Sequence, residues 1–235
     1  MRGPAPGDMM TNPPQGTANV PDVIPIFPLP NVVLLPGEVL PLHIFEPRYT
    51  DLVRDAIASH RVIGMVEYQP GFSEPESTLP PVREVGCVGF IAQYEELPDG
   101  RYMLWLIGLE RFRIEDELDL DTSYRQVRVH YIPAQESPKK LAGIRALRQE
   151  LRVLLPGLLD LDDASRAQFA AHVAEVSDTQ LIALACQILE LPSDRKQEVL
   201  EANSLSDRFL MVYEDLYRHL DGNPDFDAIE PDELN

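Results

Sequence analysis

The feature that most constrains this chain is an apolar segment, residues 23–49, that prolines interrupt at short intervals. It reads VIPIFPLPNVVLLPGEVLPLHIFEPRY and is rich in β-branched residues. Pro28, Pro30, Pro36 and Pro41 exclude one long helix, because proline lacks the amide hydrogen that a helix interior requires. The segment therefore predicts two strands joined by a turn.

The turn is expected at Pro36-Gly37, since proline fixes φ at the first central position of a β-turn and glycine accepts a positive φ at the second. Both alternating faces of the following strand, residues 39–45, are largely apolar, which predicts a strand covered on both sides. Pro41 cannot donate a hydrogen bond to a sheet ladder, so we expect this strand at a sheet edge or at a bulge.

Further strand signals continue to residue 132, with one amphipathic helix predicted after Pro47. The strand-like segments are residues 61–67, 85–94, 102–109, 111–115 and 127–132. Leu97-Pro98-Asp99-Gly100 is typical of a hairpin turn. Arg111 and Arg113 alternate with apolar residues, which predicts a half-exposed strand. Together these signals predict an α+β fold, in which a twisted, partly closed sheet with one inserted helix forms a β-rich lobe.

Composition changes after Pro133, where apolar residues begin to recur at helical spacing. Ser137, Ser177 and Ser206 stand where side chains can cap helices. The second half therefore predicts an all-helical bundle. We expect a disordered leader over residues 1–21, the β-rich lobe over 22–133, the helical lobe over 134–220 and an acidic tail over 221–235.

The same sequence resembles the amino-terminal, substrate-binding domain of Lon-type ATP-dependent proteases. The resemblance covers roughly residues 23–220. In the first half the matching positions are Leu29-Pro30, Val32-Val33, Pro36-Gly37, Leu40-Pro41-Leu42, Ile44-Phe45-Glu46, Arg48-Tyr49, Val85-Gly86, Val88, Leu97-Pro98-Asp99-Gly100 and Gly108-Leu109-Glu110-Arg111-Phe112. In the second half they are Leu189-Glu190-Leu191, Lys196-Gln197, Val199-Leu200-Glu201 and Arg208. The resemblance implies a stand-alone Lon-type domain that binds polypeptides and carries neither the ATPase nor the peptidase domain.

Charge limits the partners that are expected. The 20 lysines and arginines stand against 39 acidic residues and give a net charge of −19. Such a field repels nucleic acid and anionic membranes, so we expect neither as a partner. The chain also lacks the run of about 18 apolar residues that spans a bilayer, and residues 1–20 lack the apolar core of a signal peptide. We therefore expect a cytoplasmic protein.

No motif for catalysis or cofactor binding is present. No glycine precedes a lysine, which excludes the phosphate-binding loop of ATPases, and the cysteines and histidines lack metal-ligand spacing. We expect no cofactor, no metal and no enzymatic activity. The alternative is a hydrolase in which Cys87, beside His43, acts as the nucleophile. The simpler interpretation of Cys87 is a small core residue of a strand.

The residues expected to bind substrate are Pro41, His43, Phe45, Glu46, Arg48 and Trp105. Glu46 and Arg48 form either a local helix cap with an ion pair or part of a recognition surface. Trp105 is either a core residue or, if exposed, an anchor for an apolar peptide. The resemblance implies unfolded or degron-bearing polypeptides as partners, with a protease or chaperone downstream, and it leaves the oligomeric state open. An adaptor that docks one folded partner is the second hypothesis.

Overall fold

The computed structural model describes residues 20–72, 80–134 and 144–221. These residues form two compact units. The first unit combines the described residues up to Pro133 with Pro192–Glu201, and the second combines those of Ala134–Leu191 with those from Ala202 onward. The expected leader, the acidic tail and the helix cap at Ser137 fall almost wholly outside the described residues.

A mixed sheet of six strands forms the centre of the first unit. The strands are β1 (Val23–Leu29), β2 (Val39–Ile44), β3 (Val62–Glu67), β4 (Val85–Glu96), β5 (Tyr102–Leu118) and β6 (Gln126–Tyr131). Their order is β2-β5-β4-β3-β1-β6, and β6 pairs a second time with the end of β5. Only the β1–β3 pairing is parallel among these strands. The sheet is therefore partly ringed, as the sequence predicts, and β2 extends from the ring.

The inserted helix, α1 (Pro47–Ala58), connects β2 to β3. Pro47 occupies the first helical position, where a missing amide hydrogen breaks no helical hydrogen bond. One face of the helix is buried, and its members are Tyr49, Leu52, Val53 and Ala56. The periodicity of the sequence predicted this face, and the predicted helix is confirmed.

Five further α-helices and one 3₁₀ helix (Leu155–Leu158) follow in the described chain. The α-helices are named in chain order. They are α2 (Arg145–Leu154), α3 (Asp163–Glu175), α4 (Asp178–Ile188), α5 (Ser193–Glu201) and α6 (Leu205–Asp221). In the second unit, Ser177 and Gln180 form the reciprocal capping box at the start of α4. The prediction that Ser206 caps the last helix is wrong, because the Ser204 hydroxyl accepts the Asp207 amide at 3.1 Å instead.

Helix α5 belongs to the first unit, whereas the sequence predicts its segment as part of the helical lobe. Polar contacts hold it on the sheet. The Gln197 side chain donates to the Val85 carbonyl at 3.0 Å, and Arg111 donates to the Leu200 carbonyl at 2.9 Å. Arg111 is only 1% exposed, so the expectation of a half-exposed strand is wrong at this position. Its guanidinium is needed at the buried end of α5, where the last helical carbonyls require donors.

Candidate functional site

Strand β2 lies at the edge of the sheet, and β5 is its only strand partner within the described residues. The Gly108 amide donates to the Glu38 carbonyl at 2.9 Å, just before β2 begins. Because ladder hydrogen bonds alternate along an antiparallel strand, Leu40 and Leu42 direct their backbone groups toward β5. Val39, Pro41 and His43 direct theirs outward. The predicted edge position of Pro41 is confirmed, since its missing donor lies on the side away from the ladder.

The side chains at the odd-numbered positions of β2 are exposed and mostly apolar. Val39 is 53% exposed and Phe45, just beyond the strand, is 62% exposed, and Pro41 and His43 are exposed as well. The prediction that both faces of this strand are covered is therefore wrong. The apolar pattern is compatible with two buried faces, but β2 lies outside the ring of strands, and the side chains of Val39, Pro41 and His43 are open to solvent in the described chain.

Strand register shows which side chains share this face. Val39 lies opposite Ile107, Pro41 opposite Trp105, and His43 opposite Met103. Directly opposed residues in adjacent strands project from the same side of a sheet. We call the resulting surface the apolar edge face, and its members are Val39, Pro41, His43, Met103, Trp105 and Ile107. The three β5 members are half-buried.

The apolar edge face is the exposed continuation of the sheet core. Ile107 lies opposite Phe90 in β4, and Phe90 lies opposite Val62 in β3. Exposure along this row falls from 53% at Val39 to 7% at Phe90 and 3% at Val62. Phe90 and Val62 belong to the buried core, and Ile107 packs against it. The same layer of side chains is thus shielded by the ring at one end and left uncovered at the other.

Phe45 extends the apolar edge face toward α1. Its ring contacts the His43 ring, with centroids 5.8 Å apart and planes tilted by 49°. The structure therefore brings together four of the six residues that are expected from the sequence to bind substrate: Pro41, His43, Phe45 and Trp105.

Glu46 and Arg48 form a local ion pair, with Arg48 nitrogen 2.9 Å from the Glu46 carboxylate. The Glu46 side chain makes no capping hydrogen bond to α1; its backbone carbonyl accepts from the Tyr49 and Thr50 amides instead. The Arg48 guanidinium also stacks over the Tyr49 ring at 4.6 Å. The ion pair predicted for this corner is present and the predicted side-chain cap is not. A role of Glu46 and Arg48 in recognition stays a prediction.

Arg48 also lines a pocket of about 200 Å³ that sequence reasoning missed. Tyr68 contributes one wall, and the end of β5 with the following loop contributes another. Arg125 ties this loop down, because it donates to both Glu117 oxygens, at 2.6 and 2.7 Å, and to the Pro80 carbonyl at 2.9 Å. The loop carries no recognisable motif, so only its neighbours in space reveal the pocket.

The turn that leads into β2 is held by a buried carboxylate. Glu38 accepts the Leu35 amide at 2.9 Å, and the Lys196 ammonium of α5 lies 3.6 Å from its other oxygen. Burial raises the pKa of Glu38, and the Lys196 charge opposes that shift. The position of the edge strand therefore depends on α5 as well as on β5.

Cys87 and His43 do not form a catalytic pair. Cys87 is fully buried and lies opposite Arg111 of β5, whereas His43 is exposed and lies opposite Met103. Eight residues of extended strand separate these two β5 positions, which corresponds to roughly 26 Å. Among residues 20–72, 80–134 and 144–221, no group of three or more His, Cys, Asp or Glu side chains could hold a metal ion. None of the helices there combines the length and apolar character that crossing a bilayer requires.

Comparison with known proteins gives a consistent family match. The ATP-dependent protease La (LON) substrate-binding domain matches residues 23–218. The chain is 30% identical over 201 residues to Lon protease 2 of Myxococcus xanthus, a match that covers 85% of this chain and 24% of that protein. It is 26% identical over 206 residues to the Lon protease of Dictyoglomus thermophilum, covering 87% and 25%. The chain thus spans about a quarter of the length of these relatives.

Two solved structures share the fold. The N-terminal domain of a Mycobacterium avium complex Lon protease matches with a TM-score of 0.65 at 18% identity, covering 84% of this chain and all of that one. A Lon N-terminal domain protein from Xanthomonas campestris matches with a TM-score of 0.56 at 22% identity, covering 82% and 97%. The α+β architecture predicted from the sequence is the architecture of these domains.

Proposed function

The chain belongs to the family of Lon substrate-binding domains, and on that basis we propose that it is a polypeptide-binding module without catalytic activity of its own. Its ligands are unfolded or degron-bearing segments, and its role is to recognise them for proteolysis or protein quality control. A protease or chaperone that receives these segments is the expected downstream partner. A cytoplasmic location stays a prediction from the sequence.

The observation that carries this proposal is the apolar edge face. Water contacts Val39, Pro41 and Phe45 in the unbound protein, and an apolar ligand side chain would displace it. Covering about 150 Å² of apolar surface contributes roughly 4 kcal/mol before the cost of ordering the ligand. Taken alone, this gain corresponds to a dissociation constant of about 1 mM. Because association and ordering offset part of it, the face requires a second source of binding energy.

The backbone of β2 adds a second mode of contact. The outward amides and carbonyls of Val39 and His43 are positioned to pair with an extended ligand strand, as in recognition by strand addition. Pro41 interrupts that ladder, because it offers an acceptor and no donor. An interrupted edge discourages uncontrolled strand pairing between copies, while a short segment can still bind on either side of Pro41.

Glu46 and Arg48 have a supporting role in this proposal. Their ion pair fixes the corner at which β2 ends and α1 begins. That corner sets the direction in which Phe45 projects, so the pair influences the ligand surface without contacting ligand itself.

The test uses fluorescence anisotropy of a labelled polypeptide that is kept unfolded by reduction and carboxymethylation. Val39→Asp places a charge on the apolar edge face and should weaken binding at least tenfold, about 1.4 kcal/mol. Val153→Asp is the matched control, because Val153 is another exposed valine, at 63% exposure, in the second unit. We expect this control to bind like the wild type.

Two results count against the proposal. Equal weakening by both variants would show that added negative charge, rather than the apolar edge face, controls binding. Failure of several unfolded polypeptides to bind, together with capture of one folded protein at fixed stoichiometry, would favour the adaptor hypothesis instead.

A further inference from the structure

Arg61 occupies an unusual backbone position between α1 and β3. Its φ is 58°, in the left-handed region that arginine rarely adopts. Its amide donates to the Ala56 carbonyl at 2.8 Å and so ends α1. Glycine is the usual residue at such a helix end, because it has no Cβ to clash there. The backbone conformation at position 61 therefore favours glycine, although the residue is an arginine.

The Arg61 guanidinium is held by two aromatic rings. Its central carbon lies 5.6 Å from the centroid of Phe90 and 5.6 Å from that of Tyr94, both within the range of cation–π attraction. The side chain is half-buried, and its Nε is buried without a hydrogen-bond partner. No described acid forms an ion pair with Arg61, whereas Arg48, Arg83 and Arg125 all contact carboxylates.

The guanidinium lies beside the far end of the row of side chains that begins at Val39 in the apolar edge face. Phe90 lies opposite Ile107, and Ile107 lies opposite Val39. Phe90 lies in turn opposite Val62, the residue after Arg61. Adjacent strands are about 4.8 Å apart, so Val39 and Val62 are separated by roughly 14 Å. An extended ligand covers that distance with about four residues. A segment that covers Val39 can therefore place a polar group beside Arg61.

We propose that Arg61 binds a carboxylate of the polypeptide that occupies the apolar edge face. The proposal rests on the proposed polypeptide-binding function and names one group that such a ligand carries. A guanidinium offers a planar fork of donors that matches a carboxylate bidentately, and the flanking rings fix the orientation of that fork. The carboxylate comes from the ligand's C-terminus or from an Asp or Glu side chain.

Selectivity follows from the charge of the protein. With a net charge of −19, the surface repels acidic ligands in general. A single guanidinium at the far end of this row would favour ligands that place a carboxylate there and nowhere else. Arg61 thus determines the position at which the ligand binds along the face more than it increases the overall affinity.

The experiment compares labelled apolar ten-residue peptides by anisotropy. One peptide has no carboxylate, because its C-terminus is amidated. A second has a free C-terminus, and a third is amidated and carries one Glu four residues from the apolar core. We expect the wild-type protein to bind at least one carboxylate peptide about tenfold more tightly than the neutral one, as for a charged hydrogen bond. The peptide that gains affinity identifies the source of the carboxylate.

Two variants remove the guanidinium. Arg61→Met keeps an unbranched apolar side chain over Phe90, and Arg61→Gly suits the left-handed backbone, so at least one should fold normally. Both should reduce the tenfold preference to less than twofold and leave the affinity for the neutral peptide unchanged. Arg113→Met is the matched control, because Arg113 is an exposed arginine of the same unit, on β5. It should retain the preference.

The possible failures are distinguishable. If the neutral peptide binds and Val39→Asp abolishes that binding, but the carboxylate preference is absent or survives in both Arg61 variants, the Arg61 proposal is wrong and the proposed function stands. Equal loss of preference in Arg113→Met would also overturn it, since the effect would then be one of general charge. If no peptide binds the wild type, the proposed function fails as well.

Discussion

Replacement of Gly108 by alanine tests how β5 holds the turn that leads into β2. A Cβ atom at this position would lie 2.1 Å from the Leu35 carbonyl oxygen. To reach 3.0 Å, below which real Cβ contacts essentially never fall, the two segments must separate by about 0.9 Å. The obstacle is backbone, so no side-chain rotation relieves it. The turn and β5 must move apart.

The cost follows from what that movement breaks. The Gly37 amide donates to the Gly108 carbonyl at 2.8 Å, and the Gly108 amide donates to the Glu38 carbonyl at 2.9 Å. Losing both hydrogen bonds costs about 2 kcal/mol, and overpacking adds about 1–3 kcal/mol. We therefore expect Gly108→Ala to lower the free energy of unfolding by about 3–5 kcal/mol, a large part of the stability of a typical domain.

Urea unfolding followed by tryptophan emission measures this loss. Trp105 is the only tryptophan of the chain and lies on β5, so its emission reports the first unit. Gly157→Ala is the control, because a Cβ there meets nothing within 4 Å; its stability, measured by circular dichroism, should change by less than about 0.5 kcal/mol. A loss below about 1 kcal/mol in Gly108→Ala would refute the described packing of the turn on β5.

Two further predictions concern buried and bridging carboxylates. Burial raises the pKa of Glu38, so the ionised form is disfavoured in the folded protein. The free energy of unfolding of the wild type should therefore fall as pH rises from the unfolded pKa near 4.5 through the folded pKa. Glu38→Gln should gain stability relative to the wild type over that pH range, and a pH-independent difference in urea titrations would contradict the assignment. In the second unit, the Glu150 carboxylate accepts Tyr213 at 2.9 Å and Tyr217 at 2.6 Å. Glu150→Ala should cost about 1–3 kcal/mol in thermal or urea unfolding, and a neutral effect would show that these hydrogen bonds do not link α2 to α6.

Much of the fold was predictable because local chemistry specifies it. A proline without a donor defines an edge position, and Ser177 with Gln180 in the capping-box spacing defines the start of α4. These features depend on residues that are close in sequence. The partly closed sheet followed from the spacing of strands and turns, together with the resemblance to Lon domains.

The remaining features depend on contacts between distant residues. Nothing in the alternation around Arg111 indicates that Leu200, 89 positions later, supplies the acceptor that allows the guanidinium to be buried. The same kind of long-range contact, from Gln197 to Val85, places α5 on the sheet. The exposed face of β2 was missed for a related reason, because an apolar pattern shows that a face can be buried and not whether a neighbour exists to cover it.

The central claim is that polypeptides bind on the apolar edge face, and Trp105 lies within it. The most direct measurement is therefore a titration of the protein with a tryptophan-free unfolded polypeptide, followed by Trp105 emission and, in parallel, by anisotropy of the labelled ligand. We predict a saturable blue shift of Trp105 that follows the anisotropy curve and disappears in Val39→Asp. Saturated anisotropy with an unchanged Trp105 spectrum would contradict the claim, because the polypeptide would then occupy a different surface.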